Sequence, residues 1–129
     1  MNTKTLNILL WVAQVILAIM FIMAGGMKTF QPIKEIAISI PWVTEAPVLL
    51  IRFIGLSELL GGLGLLLPSL LKIKPTLSVL AAYGLVIVMI LATIFHVFKG
   101  EFQAIGMCVF LGLAAYFIAW GRSKKVKIA

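Results

Sequence analysis

The stretch that decides the fold is VLLIRFIGLSELLGGLGLLL, residues 48–67, which lies between two prolines. It is apolar except for Arg52, Ser57 and Glu58. A helix of this length spans about 30 Å, which matches the hydrocarbon core of a bilayer. The stretch therefore predicts a membrane-spanning helix that carries a carboxylate near its centre.

Three other intervals contain no charged residue and are long enough to cross a membrane. They hold 23, 24 and 20 residues and are bounded by Lys4 and Lys28, by Lys74 and Lys99, and by Glu101 and Arg122. Together with the first stretch they predict transmembrane helices at about 6–27, 48–67, 76–98 and 103–120. We therefore expect an all-α fold: an integral membrane four-helix bundle with an outer loop between helices one and two. Residues 1–129 should form a single transmembrane domain.

The composition excludes an ordinary soluble domain. Apolar residues of the set AVILMFWYC make up 63% of the chain and charged residues 12%, against about 25% charged residues in a typical soluble domain. The single cysteine, Cys108, excludes an internal disulfide, a CxxC redox pair and a cysteine metal site. The formal net charge of +7 indicates loops that face the cytoplasm and anionic lipid rather than a nucleic-acid partner.

The distribution of lysine and arginine predicts the orientation. Seven of these residues fall on one side of the expected bundle: Lys4, Lys72, Lys74, Arg122, Lys124, Lys125 and Lys127. Four fall on the other side: Lys28, Lys34, Arg52 and Lys99. The positive-inside rule then places both termini in the cytoplasm of a multi-pass protein of the cell membrane.

The outer loop, residues 28–47, has a pattern of its own. Ile33, Ile36, Ala37 and Ile40 follow the i, i+3, i+4, i+7 spacing of a short helix that lies on the membrane. A strand in which Ile36 and Ile40 share one face with Ile38 fits the same residues. We favour a cover over the outer mouth of the bundle, and a disordered connector is the alternative.

Glu58 is the residue whose position most needs an explanation. It is the eleventh of twenty residues in its span, so it lies about 15 Å from either end. A charge at that depth costs at least about 2.5 kcal/mol and is usually paired or faces the bundle interior. Arg52 lies about 120° around the same helix, so we expect the partners of both residues to come from other helices.

Polar residues on two other helices fall at compatible positions. One face of helix one carries Gln14, Ala18, Phe21, Gly25 and Lys28, and one face of helix three carries Ser78, Ala82, Leu85, Met89, Ala92 and His96. The sequence thus predicts a polar intramembrane cluster of Glu58, Arg52, His96 and Lys28, with Gln14 as a secondary member. The cluster is interpreted either as a pocket for an anionic or quinone-like head group, or as a clasp that sets helix register. For Gln14 we favour an interhelical hydrogen bond.

The order of these residues resembles the DoxX-like family of small four-helix membrane proteins. The resemblance rests on Ala24-Gly25-Gly26-Met27-Lys28, Pro41, residues 52–65 (RFIGLSELLGGLGL), Pro68, Ala81-Ala82 and residues 92–96 (ATIFH). It implies a four-helix fold in a membrane. Because the family includes subunits associated with quinone-linked sulfur-compound oxidation and proteins linked to redox stress, it also implies a quinone or redox association.

Three functions remain open. We favour an accessory or quinone-associated subunit of a membrane redox system over a stand-alone enzyme. The alternatives are a small-molecule transporter or lipid-binding protein, and a membrane enzyme that uses Glu58 and His96 as acid and base. Quinone is the one cofactor that we consider, since one histidine cannot supply bis-His haem ligation and no metal site is expected. The expected partners are the lipid bilayer, a membrane redox subunit and, through glycine-rich helix faces, a second copy of the chain.

Overall fold

The computed structural model describes residues 2–45, 47–72, 74 and 76–125, and within them the regular structure is entirely helical. The five α-helices are α1 (Thr3–Phe30), α2 (Ile33–Ser39), α3 (Val48–Leu71), α4 (Thr76–Lys99) and α5 (Phe102–Trp120). A 3₁₀ turn, Pro41–Glu45, follows α2, and a π-helical turn, Gly121–Lys125, continues α5. Four helices are long and apolar enough to cross a membrane, which confirms the predicted all-α fold with four spans.

The four long helices pack in a ring. The most extensive contact joins α1 to α3; α3 then packs on α4, α4 on α5, and α5 closes the ring against α1. Short turns join α3 to α4 and α4 to α5, and the longer segment 31–47 joins α1 to α3, so that successive long helices are antiparallel. We call the end of the bundle that carries α2 the outer end, and the end formed by the start of α1, the α3–α4 turn and the end of α5 the inner end.

The faces that point into the bundle are those that the sequence predicts. On α1 the buried residues include Gln14, Ala18, Phe21 and Gly25, and on α4 they are Ser78, Ala82, Leu85, Met89 and His96. Many other large apolar side chains of the four long helices are exposed, as lipid-facing side chains are in a membrane protein. The helical period therefore decides which polar residues enter the interior.

Helix α3 continues through Pro68 to Leu71, although the sequence predicts that it ends at Leu67. Proline has no N–H, so the carbonyl of Gly64 loses its usual donor. Membrane helices tolerate this loss where neighbouring helices supply replacement hydrogen bonds. An interhelical hydrogen bond lies close to the proline, where Gln14 Nε2 donates to the neighbouring Leu65 carbonyl oxygen at 2.6 Å.

The outer segment forms a small core of its own. Ile36 and Val43 are fully buried against Ile51 of α3, and Met27 of α1 packs on the same cluster. Because residues 33–39 are helical, the alternative strand through Ile36 and Ile40 is not the structure formed. The segment is packed against the outer ends of α1 and α3 rather than being a loose connector.

Candidate functional site

The centre of the candidate site is an ion pair between two membrane helices. Lys28 Nζ on α1 donates to Glu58 Oε1 on α3 at 2.7 Å. The two side chains are 12% and 5% exposed, respectively. Glu58 thus has a cationic partner on another helix, which is what a carboxylate near the middle of a membrane span requires.

The two side chains meet because of how antiparallel helices direct their side chains. Long helical side chains lean toward the N-terminus of their own helix. Lys28 therefore leans from the end of α1 toward the inner end, while Glu58 leans from the middle of α3 toward the outer end. Their charged atoms converge between the two backbones.

Glycine brings the α1 and α3 backbones close enough for this contact. A Cβ added to Gly25 would lie 2.6 Å from the carbonyl oxygen of Gly55 and would also collide with the backbone nitrogen of Leu59. A Cβ added to Gly55 would lie 2.6 Å from Lys28 Cβ. Each glycine is three residues from a member of the ion pair, so the glycine contact and the ion pair share one helix face.

Arg52 supports the pair through the backbone of α1. Its Nη1 donates to the carbonyl oxygens of Lys28 at 3.0 Å and Gln31 at 2.6 Å. The last carbonyls of a helix lack intrahelical donors and carry partial negative charge, which a guanidinium group satisfies well. Arg52 therefore holds the end of α1 in the position from which Lys28 reaches Glu58.

His96 is placed with a different set of neighbours. It is 8% exposed near the end of α4, and its Nδ1 lies 3.3 Å from Oε1 of Glu101, just before α5. Its ring also contacts Phe95 edge to face, and Lys99 Nζ lies 5.8 Å from the Phe95 ring centroid. The residues of the predicted cluster thus make two sets of contacts. Lys28, Glu58 and Arg52 connect α1 with α3, and His96 contacts Glu101 at the α4–α5 turn.

Helix α5 forms the fourth side of the bundle interior. Cys108 is buried on its inward face. Ala115 and Ala119 continue the same buried face. Within the described residues no group of three or more His, Cys, Asp or Glu side chains could hold a metal ion.

A second polar network lies toward the inner end, and the sequence analysis missed most of it. Gln14 Nε2 lies 3.2 Å from Ser69 Oγ, which is 2.7 Å from Ser78 Oγ. Arg122 Nε donates to Gln14 Oε1 at 2.6 Å, and Arg122 Nη1 donates to Asn7 Oδ1 at 2.7 Å. The network joins α1, α3, α4 and the end of α5, so the interhelical hydrogen bond that we favoured for Gln14 is present.

Arg122 was misassigned because its charge ends a charge-free interval. We counted it with the basic tail, whereas the structure buries it to 3% exposure and stacks it over Trp11, with its Cζ 5.2 Å from the ring centroid. A signal for this was available, since Ala115, Ala119 and Arg122 keep the i, i+4, i+7 spacing of the inward face.

A family model decides the classification. The model of the DoxX-like family matches residues 12–118. The chain belongs to the DoxX-like family. The matched range of this DoxX-like protein includes Gln14, Lys28, Arg52, Glu58 and His96 and stops before Arg122. The search of curated proteins and the search of solved structures found no significant match.

Proposed function

We propose that this DoxX-like integral membrane protein is an accessory, quinone-associated subunit of a membrane redox system. The Lys28–Glu58 pair, supported by Arg52, binds the polar head group of the quinone. The observation that carries the proposal is the 2.7 Å contact between an ammonium group and a carboxylate inside an apolar bundle. Charged side chains within membrane spans are expensive, and they mark ligand or proton sites by default.

The chemistry of the pair suits a quinone in both redox states. A quinone carbonyl oxygen accepts a hydrogen bond, which the Lys28 ammonium group can donate. A hydroquinone hydroxyl donates a hydrogen bond, which the Glu58 carboxylate can accept. The Lys28 side chain keeps 12% of its surface exposed, against 5% for Glu58. The apolar tail of such a ligand would stay among the lipid-facing side chains.

Two contacts support this function over the alternatives. Glu58 pairs with Lys28 and His96 pairs with Glu101, so a Glu58–His96 acid–base couple has less support than a binding site. Buried apolar residues, including Ala18, lie between the outer ion pair and the inner network. This apolar layer favours binding over passage of a polar solute. We propose that His96 borders the site and that Gln14 acts structurally.

The setting of the protein is also a proposal. We propose that residues 1–129 act as one domain in the cell membrane, with both termini in the cytoplasm. The excess of lysine and arginine at the inner end supports this orientation.

The test is quinone binding by the full-length protein purified in mild detergent. Decylubiquinone should raise the thermal unfolding midpoint of the wild-type protein, because a ligand at a hundred times its Kd adds about 2.7 kcal/mol to the free energy of unfolding. Glu58→Gln should abolish the shift. It should also lower the midpoint of the unliganded protein, because the buried Lys28 ammonium group then has only an amide oxygen as its partner, so each variant is compared with its own unliganded midpoint. Glu35→Gln, an identical change at an exposed outer residue, is the matched control and should keep the shift. An unshifted wild-type midpoint, or an equal shift in Glu58→Gln, would contradict the proposal.

A further inference from the structure

The two ends of the bundle differ sharply in charge. The four acidic residues, Glu35, Glu45, Glu58 and Glu101, belong to the outer loop, to α3 or to the outer turn, where four cations balance them. Within the described residues the inner end has six lysine and arginine residues and no acidic residue: Lys4, Lys72, Lys74, Arg122, Lys124 and Lys125. The excess of positive charge is therefore carried by the inner end.

Three separate elements present this charge at the inner end. Lys4 is exposed in the first turn of α1, and Lys124 is exposed in the π-helical turn after α5. Lys72 and Lys74 are exposed in the α3–α4 turn. We call these four lysines the inner lysine surface. Because the surface borders four apolar spans, its ammonium groups lie where a lipid headgroup layer meets the protein.

The inner network holds the surface together. Arg122 binds Asn7 and Gln14 of α1 and stacks over Trp11, which fixes the end of α5 beside the beginning of α1. Lys124 is two residues beyond Arg122. Ser69 and Ser78 join the ends of α3 and α4 that lead into the turn with Lys72 and Lys74. The exposed lysines therefore extend from a packed inner end rather than from independent tails.

We propose that the inner lysine surface docks anionic phospholipid headgroups. A lysine near an anionic leaflet gains electrostatic attraction that reaches about one Debye length, roughly 8 Å at physiological ionic strength. The inner lysine surface contains no acidic side chain that would compete with lipid phosphates for its ammonium groups. The inference is independent of the quinone proposal, since it uses none of the residues of the ion pair.

The experiment compares two double variants that remove equal charge from opposite ends. Full-length protein is reconstituted in vesicles of phosphatidylcholine and phosphatidylglycerol at a ratio of about 3:1, a composition with excess neutral lipid so that selection for the anionic lipid is visible. It is then extracted in mild detergent, and native mass spectrometry counts the lipids that it retains. Lys72→Gln/Lys74→Gln alters the inner lysine surface, and Lys34→Gln/Lys99→Gln is the outer control. Thermal unfolding of both variants checks that they fold.

We expect the wild-type protein and the outer variant to retain phosphatidylglycerol in preference to phosphatidylcholine. The inner variant should lose about fivefold in preference for each lysine removed, and added salt should reduce the preference of the wild-type protein. Equal retention of the two lipids by the wild-type protein would overturn the proposal. An equal loss in the two double variants would also overturn it, because the net charge and not the inner lysine surface would then be responsible.

Discussion

At the residue scale, Lys28 and Glu58 stabilise the bundle only as a pair. Each charge alone would be buried between α1 and α3 with too little water to solvate it. Their mutual attraction at a distance of 2.7 Å offsets part of that desolvation cost. The same pair can therefore hold the helices together and bind a ligand. Its structural role and its proposed ligand-binding role need separate measurements.

The structural role predicts a strongly non-additive double-mutant cycle. Lys28→Met should lower the free energy of unfolding by about 3–5 kcal/mol, because it strands the buried Glu58 carboxylate. Lys28→Met/Glu58→Leu removes both charges and should be much less destabilised than Lys28→Met. The free energies of unfolding in mixed micelles give the coupling energy. A loss in the double variant that equals the sum of the losses in Lys28→Met and Glu58→Leu would show that the two charges do not stabilise each other.

At the element scale, the close contact of α1 with α3 decides whether the ion pair can form. Gly25 and Gly55 let the two backbones approach, and Arg52 ties the end of α1 to α3. Membrane helices associate through such small residues because lipid provides no hydrophobic force between them.

Two neighbouring glycines of α1 should respond differently to alanine. Gly25→Ala places a Cβ 2.6 Å from the Gly55 carbonyl oxygen and should destabilise the protein by about 1–3 kcal/mol through overpacking. Gly26→Ala meets no heavy atom within 4 Å and should be neutral or stabilising by up to about 1 kcal/mol, because alanine favours helix. Thermal unfolding of both variants measures this difference. A similar loss in both would show that the collision with α3 is not the cause, because a Cβ at residue 26 meets no atom of α3.

The inner network should couple α1 to the end of α5. Gln14→Leu removes the contacts to Leu65, Ser69 and Arg122, and at about 0.6 kcal/mol for each interhelical hydrogen bond it should cost about 2 kcal/mol. Hydrogen exchange in residues 118–125 should accelerate at the same time. Gln103→Leu, a matched change at an exposed position of α5, should leave both quantities unchanged. Unaltered hydrogen exchange of residues 118–125 in Gln14→Leu would show that Gln14 does not couple α1 to the end of α5.

The sequence predicted the helices and their inward faces because lipid imposes long apolar spans and the helical period assigns each face. It also predicted that Glu58 needs a partner on another helix. It did not identify Lys28 as that partner, since the long outer segment before α3 leaves the neighbour of α1 undetermined. Arg122 and the continuation of α3 past Pro68 were missed because a charge and a proline ordinarily mark helix ends. Here hydrogen bonds to α1 hold Arg122 in the interior, and α3 continues through Pro68 to Leu71.

At the scale of the whole molecule, charge and ligand chemistry separate along the bundle axis. The inner end carries the net positive charge, and the paired Lys28 and Glu58 lie nearer the outer end. An apolar layer separates the two polar regions. This arrangement is consistent with the proposed membrane subunit, which would be anchored at one end and would bind a quinone head group nearer the other.

This asymmetry predicts the topology. A fluorescent reporter that folds only in the cytoplasm should be active when it is fused after Ala129, because seven basic residues at the inner end retain that end on the cytoplasmic side. A phosphatase reporter that requires export should be inactive at the same position. The reverse pattern would show that the positive-inside rule does not govern this chain.

Native mass spectrometry of the protein released directly from its own membrane tests the central claim most directly. The account predicts that the wild-type chain carries one bound quinone, that the quinone is absent from Glu58→Gln, and that it is kept by Glu35→Gln. A redox subunit retained with the wild-type chain would identify the partner system. A wild-type chain released with phospholipid alone, or a Glu58→Gln chain that retains quinone as well as the wild type does, would contradict the account.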